Sequence, residues 1–201
     1  MGRAMNPLRL ALACLALIGP ARATTVIPPS FPELVAEAEC IVRGTVTAVE
    51  ARAVPTPRGE AIHTFVTVAV EECLKGAAPR TLTLTLAGGT LGEKRAAIAG
   101  MPQFKAGDRE ILFVQGNGRQ LCPLVGFFHG RYRVLTDATT GRDYVARSNG
   151  LPLTSIAEVG SSLPDPARLP AVARAASAGL TPAEFLAQVR TELVPVHAGA
   201  R

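Results

Sequence analysis

The sequence predicts an all-β-dominated fold, a small antiparallel barrel or sandwich of five to seven strands with a short helix before it and helices after it. Three observations predict this. From Cys40 to Arg147 apolar residues recur with period two, and turn signals separate the runs at hairpin-like spacing. Within that stretch little reads as helix. Beyond Gly150 the composition shifts to Ala, Pro and Leu, and a helical stripe appears.

The elements follow in order. Ser30-Phe31-Pro32-Glu33 has the Ser-x-x-Glu spacing of a capping box, with Leu34, Val35 and Ala38 on one side, and predicts a helix over Pro32 to Glu39. Val42, Gly44, Val46 and Ala48 then share one face of a first strand. Pro55, Pro57 and Gly59 break the pattern, and Ile62, Thr64, Val66, Val68 and Val70 make a long antiparallel second strand ending at Lys75-Gly76. Pairing apolar face to apolar face sets Val42 near Val70 and Val46 near Val66. Thr81 to Leu86 alternates Thr with Leu, and Gly88-Gly89 ends it. A loop from Ala87 to Arg109 follows. Glu110 to Gln115 reads as a strand, Asn117-Gly118 as a hairpin turn, and Gln120 to Val125 as the returning strand. Tyr132 to Thr136 and Tyr144 to Arg147 supply two more about a turn at Thr140-Gly141. Thr181-Pro182-Ala183-Glu184 is a second capping box, and Phe185, Val189 and Leu193 lie on one stripe, predicting a helix over Pro182 to Leu193. A shorter helix is expected over Pro170 to Ala178.

The N-terminal residues have the layout of an export signal. Arg3 and Arg9 precede an apolar stretch from Leu10 to Ile18, which Gly19-Pro20 breaks before Ala21-Arg22-Ala23. Cleavage is expected after Ala23, leaving the protein periplasmic or extracellular. The apolar stretch is too short for a retained membrane anchor, which needs about twenty residues. Cys14 is read as part of the discarded peptide. The expected organisation is a signal over 1–23, a β domain over 24–150 and a helical extension over 151–201.

Processing also changes the charge. The whole chain is +5 at neutral pH, but without residues 1–23 it holds 18 basic against 16 acidic residues, a net charge of +2. The basic residues are scattered with no interleaved aromatic run, which argues against nucleic acid as a partner.

Cys40, Cys73 and Cys122 remain after processing, enough for one disulfide and one thiol. Strand alternation puts Cys40 on the core face and Cys73 on the other, so joining them requires a bulge. Cys122 is the expected partner of one of them.

The segments Ala38-Glu39-Cys40-Ile41-Val42-Arg43-Gly44-Thr45-Val46, Glu71-Glu72-Cys73-Leu74-Lys75-Gly76, Leu86-Ala87-Gly88-Gly89 and Gly107-Asp108-Arg109-Glu110-Ile111-Leu112-Phe113 resemble the netrin-like group. That group includes the tissue inhibitors of metalloproteinases and exported bacterial relatives. The resemblance spans about Leu34 to Val145 and implies an OB-like barrel with flanking helices. In the animal inhibitors an N-terminal cysteine chelates the protease zinc. Here the expected mature start is Thr24 and the first cysteine follows sixteen residues later behind a helix, so that mechanism does not transfer.

The chemistry-bearing residues are sparse. His63 and His129 are the candidates for a metal site, with Glu71, Glu72 or Asp108, but they lack His-x-x-x-His spacing and read better as ordinary residues of the β domain. No Gly-x-Ser-x-Gly occurs, so no catalytic residue, no enzymatic activity and no cofactor is expected. Two segments are the expected contact surfaces for a protein partner. One is the long loop with Glu93, Lys94, Arg95, Met101 and Phe104; the other is Phe127, Phe128, Arg131 and Tyr132, where strand alternation exposes one of the two Phe rings unless a Gly-flanked bulge buries both. The reading is an exported, non-catalytic module that binds a macromolecular partner, an extracytoplasmic protease and in particular a metalloprotease being the suggested class. The alternatives are a small-ligand or polysaccharide binder and a metal-dependent hydrolase.

Overall fold

The computed structural model describes residues 27–57, 59–170 and 175–194. The expected export signal and its expected cleavage site lie outside these residues. Among the described residues no helix is long and apolar enough to cross a membrane.

Helix α1 spans Phe31–Glu37, its first turn fixed by the Ser30 amide and hydroxyl, which donate to Glu33 at 2.8 and 2.7 Å. It stops earlier than the sequence predicts, because Ala38 turns to extended backbone to enter the first strand. Phe31, Leu34 and Val35 face inward.

Strands β1 (Cys40–Thr56) and β2 (Gly59–Lys75) form one antiparallel hairpin that runs through Pro55. Proline is tolerated there because β1 has lost its other neighbour by that point. The register differs from the predicted one: Val42 opposes Cys73, Gly44 opposes Val70, and Val46 opposes Val68. Shifts between Ile41 and Val42 and between Arg43 and Gly44 leave Leu74 and Glu71 as extra residues on β2. The bulged Glu71 turns to accept from Thr45 Oγ1 at 2.8 Å and lies 3.4 Å from Arg43 Nε. At Gly44 the strands approach so closely that a Cβ would sit 2.3 Å from the Ala69 carbonyl oxygen.

β3 (Thr81–Ala87), β6 (Arg109–Val114), β7 (Arg131–Thr136) and β8 (Asp143–Arg147) complete an antiparallel sheet of six strands in the order β3-β2-β1-β6-β7-β8. β4 (Gly89–Leu91) and β5 (Lys94–Ala96) form a separate ribbon. The sheet is not a closed barrel, and the expected strand over Gln120 to Val125 is absent apart from one bridge between Leu124 and Val114. Gly116 and Gly118 adopt positive φ and swing the chain away from a hairpin, and Pro123 has no amide proton to give a ladder. Asn117 instead reaches across to β3, accepting from the Thr85 amide at 3.0 Å and donating to the Thr83 carbonyl at 2.7 Å. With the Ala87 amide on the Leu121 carbonyl, these bonds cover the β3 edge.

Each face of the sheet has its own core. On one, α1 and α2 (Pro182–Leu193) bury Ile41, Ile111, Phe113, Tyr132 and Val145, with Phe185 of α2 against the rings of Phe31, Phe113 and Tyr132. On the other, Val42, Val66, Leu84 and Leu86 pack with Leu112, Phe104 and Leu124. α2 has the predicted bounds, and Thr181 Oγ1 accepts from the Glu184 amide at 3.2 Å. Of the helix expected over 170–178, only a 3₁₀ turn at Ala176–Ala178 falls within the described residues; 171–174 lie outside them.

Candidate functional site

The long loop after β3 is not an open connector. Gly88 donates its amide to the Ile62 carbonyl and accepts from Thr64 Oγ1 at 2.8 Å, which lays the chain against β2. A Cβ on Gly89 would sit 2.4 Å from that hydroxyl oxygen, so glycine permits the approach. The β4–β5 ribbon turns at Gly92-Glu93, with Gly92 at φ 58°, and presents Glu93, Lys94 and Arg95 to solvent. Beneath it lies a cleft of about 500 Å³. Val49, Ala51 and Leu86 contribute to its lining from the sheet, Arg95 and Ile98 from the ribbon and its descent, and Phe104 from beyond.

A second hollow of about 450 Å³ adjoins the first, and Met101, Pro102 and Gln103 line both. Its remaining lining includes Phe128, Arg131, Arg133, Ser148 and Asn149. The two segments expected from sequence to form contacts therefore meet. A Cβ on Gly100 would touch the Phe128 ring at 3.5 Å, and Arg131 Nη1 donates to the Gln103 carbonyl at 2.6 Å.

Arg131 and Tyr132 do not present their side chains freely. Arg131 is buried and donates from Nε to both Glu110 oxygens, at 3.2 and 3.1 Å, and from Nη2 to Asp108 at 3.2 Å. Its guanidinium lies 4.2 Å from the centre of the Phe104 ring, which is buried too. Burial pushes the Glu110 carboxyl above its ordinary range, and the Arg131 guanidinium pulls the other way. Tyr132 is buried against Phe113 and Phe185.

Phe127 and Phe128 do not alternate across a strand. They open a 3₁₀ turn, Phe127–Gly130, entered through two left-handed residues, Gly126 at φ 56° and Phe127 at φ 58°. Both rings are half-buried, Phe127 against the second core and Phe128 in the hollow beside Met101. Among the expected contact residues, only the three of the ribbon are fully exposed, with Met101, Phe127 and Phe128 partly so.

The histidines occupy different parts of the sheet. His63 pairs with Arg52 and Ala87 in the β1–β2–β3 arm, and His129 is buried at the end of the 3₁₀ turn with its ring against Phe128. Burial first, and Arg147 second, hold His129 down to about 4. Among the described residues no three His, Cys, Asp or Glu side chains gather into a possible metal site. Cys122 is buried in the second core, where burial raises its thiol to about 11, while Cys40 is half-buried and Cys73 exposed.

Gln103, Glu110, Arg133, Ser148 and Asn149 are absent from the sequence-derived set. The one sequence signal for Glu110 is a carboxylate at the head of the otherwise apolar run Ile111 to Val114. No protein-family model matches this chain, and no curated protein matches it.

Proposed function

We propose that this chain is an exported, non-catalytic binding module of OB-like ancestry, similar to the netrin-like group, that takes a macromolecular partner on the surface formed by the β4–β5 ribbon, Met101 and Phe128. An extracytoplasmic protease is the partner class that the resemblance suggests. The observation behind this reading is the convergence of two irregular segments, far apart in the chain, on adjoining hollows that share Met101 to Gln103. Around them Lys94 and Arg95 offer charge, and Phe128 and Met101 offer half-covered apolar surface, the mixture that protein interfaces favour. β1 adds to it: from Ala48 to Val54 its outer edge pairs with no strand among the described residues, so main-chain groups stand beside the cleft.

The test is binding of the purified protein to a panel of extracytoplasmic proteases by surface plasmon resonance. A Lys94→Glu/Arg95→Glu variant should bind its partner at least ten-fold more weakly, without loss of melting temperature. The first cleft, of a size that suits small ligands, favours a second reading as a glycan or small-ligand binder. Glycan-array binding with no protease bound would select it. Turnover lost to chelator and to His63→Ala or His129→Ala would instead select a hydrolase.

A further inference from the structure

We infer that Cys40 and Cys73 are the site of a disulfide that staples the start of β1 to the end of β2, with Cys122 left as the unpaired thiol of the core. This inference stands apart from the binding reading. The register is its foundation. Val42 opposes Cys73, and residues directly opposed in an antiparallel pair share a face; Cys40, two residues from Val42, shares it too. The extra residue Glu71, between Val70 and Cys73, is what turns Cys73 to this side. The Cys73 thiol lies within hydrogen-bonding reach of Cys40 and, after burial, helps to raise the Cys40 thiol. Nothing comparable surrounds Cys122, whose thiol responds to its burial and to the Leu124 backbone.

The accessibilities also set the order of the chemistry. Cys73 is exposed, whereas Cys40 is half-buried and its thiol is pushed up to about 11, chiefly by burial. Cys73 is therefore the entry point for a protein or small-molecule disulfide oxidant. Its thiolate attacks one sulfur of that oxidant, forming a mixed disulfide and expelling a thiolate. The Cys40 thiolate then attacks Sγ of Cys73, closing the internal bond and expelling the second. The oxidant's disulfide is reduced to two thiols, which take up the two protons and two electrons that the cysteines give. The bond closes next to Lys75, whose ammonium donates to the Val35 and Ala36 carbonyls at 2.7 and 2.8 Å, so it secures the α1–β2 junction as well.

The experiment equilibrates the processed protein, from Thr24 onward, with oxidised and reduced glutathione, blocks free thiols with iodoacetamide and digests with trypsin without reductant. The expected product joins the peptide ending at Arg43 to the one ending at Lys75, with Cys122 alkylated. A link through Cys122, or three alkylated cysteines in fully oxidised buffer, would overturn the assignment. A second measurement guards against a misfolded product: Cys73→Ser should lower the melting temperature by roughly 5–10 °C without reductant. With reductant it should melt together with the native sequence, and equal melting under both conditions also overturns the assignment.

Discussion

Arg131 on β7 grips the carboxylate of Glu110 on β6, with Nε 3.2 and 3.1 Å from its two oxygens and Nη2 2.5 Å from one of them. Glu110 is fully buried and Arg131 nearly so. Removing Arg131 strands the Glu110 carboxylate out of water, and removing Glu110 leaves the buried guanidinium with Asp108 as its remaining carboxylate. Arg131→Ala and Glu110→Ala should each lose about 3–5 kcal/mol in urea unfolding, while an Arg131→Met/Glu110→Leu double variant should lose clearly less than the sum. Arg131→Lys should not rescue, since an ammonium cannot reproduce the two-pronged contact.

Gly44 gives a second expectation. Any side chain there meets the Ala69 carbonyl and the Val68 side chain. Gly44→Ala should cost about 3 kcal/mol, at the upper end of overpacking effects, and should speed amide exchange along β1 and β2 on both sides of position 44. An unperturbed urea midpoint would mean that the bulged register is not the one populated.

His129 links stability to acidity. Its folded value of about 4 lies below the usual 6.5, so between those values the unfolded chain binds a proton that the folded chain refuses. Stability contributed by the neutral ring is complete above about pH 6.5 and is lost as pH falls toward 4. The loss should be about 1–3 kcal/mol after allowance for partial solvent screening. Glu110, with its carboxyl pushed up, contributes a slope of opposite sign, so the comparison with His129→Gln isolates the effect. The variant should show a flatter urea midpoint between pH 7 and pH 4.5.

Asn117 holds the seam between β3 and the segment after β6 with two side-chain bonds. Asn117→Ala should cost about 1–2 kcal/mol. Hydrogen exchange should quicken first at the Thr85 amide, which loses its acceptor.

The sequence made the helices and most strands legible because their signals are local. Ser30 with Glu33 and Thr181 with Glu184 mark helix starts, and the Thr-Leu alternation of β3 has no other reading. The bulges at Glu71 and Leu74 were not legible, since no glycine or proline announces them and Glu71 turns to its long-range partners Arg43 and Thr45. Alternation therefore placed Cys73 on the wrong face. Asn117-Gly118 misleads for a related reason: the amide that would shape a two-residue turn is drawn to β3. At the candidate site, both segments proposed for contacts were legible as irregular stretches. Their meeting at Met101 and Phe128 depends on tertiary packing, as does the inward turn of Arg131 toward a carboxylate 21 residues away.

β6 lies between the two cores, with Ile111 and Phe113 in one and Leu112 and Val114 in the other. Neither layer can melt while the other survives, because this ribbon of backbone, with the start of β1 beside it, is a wall they have in common. Heating should therefore produce one sharp transition, and a calorimetric trace resolved into two would mean that the wall yields on one side alone.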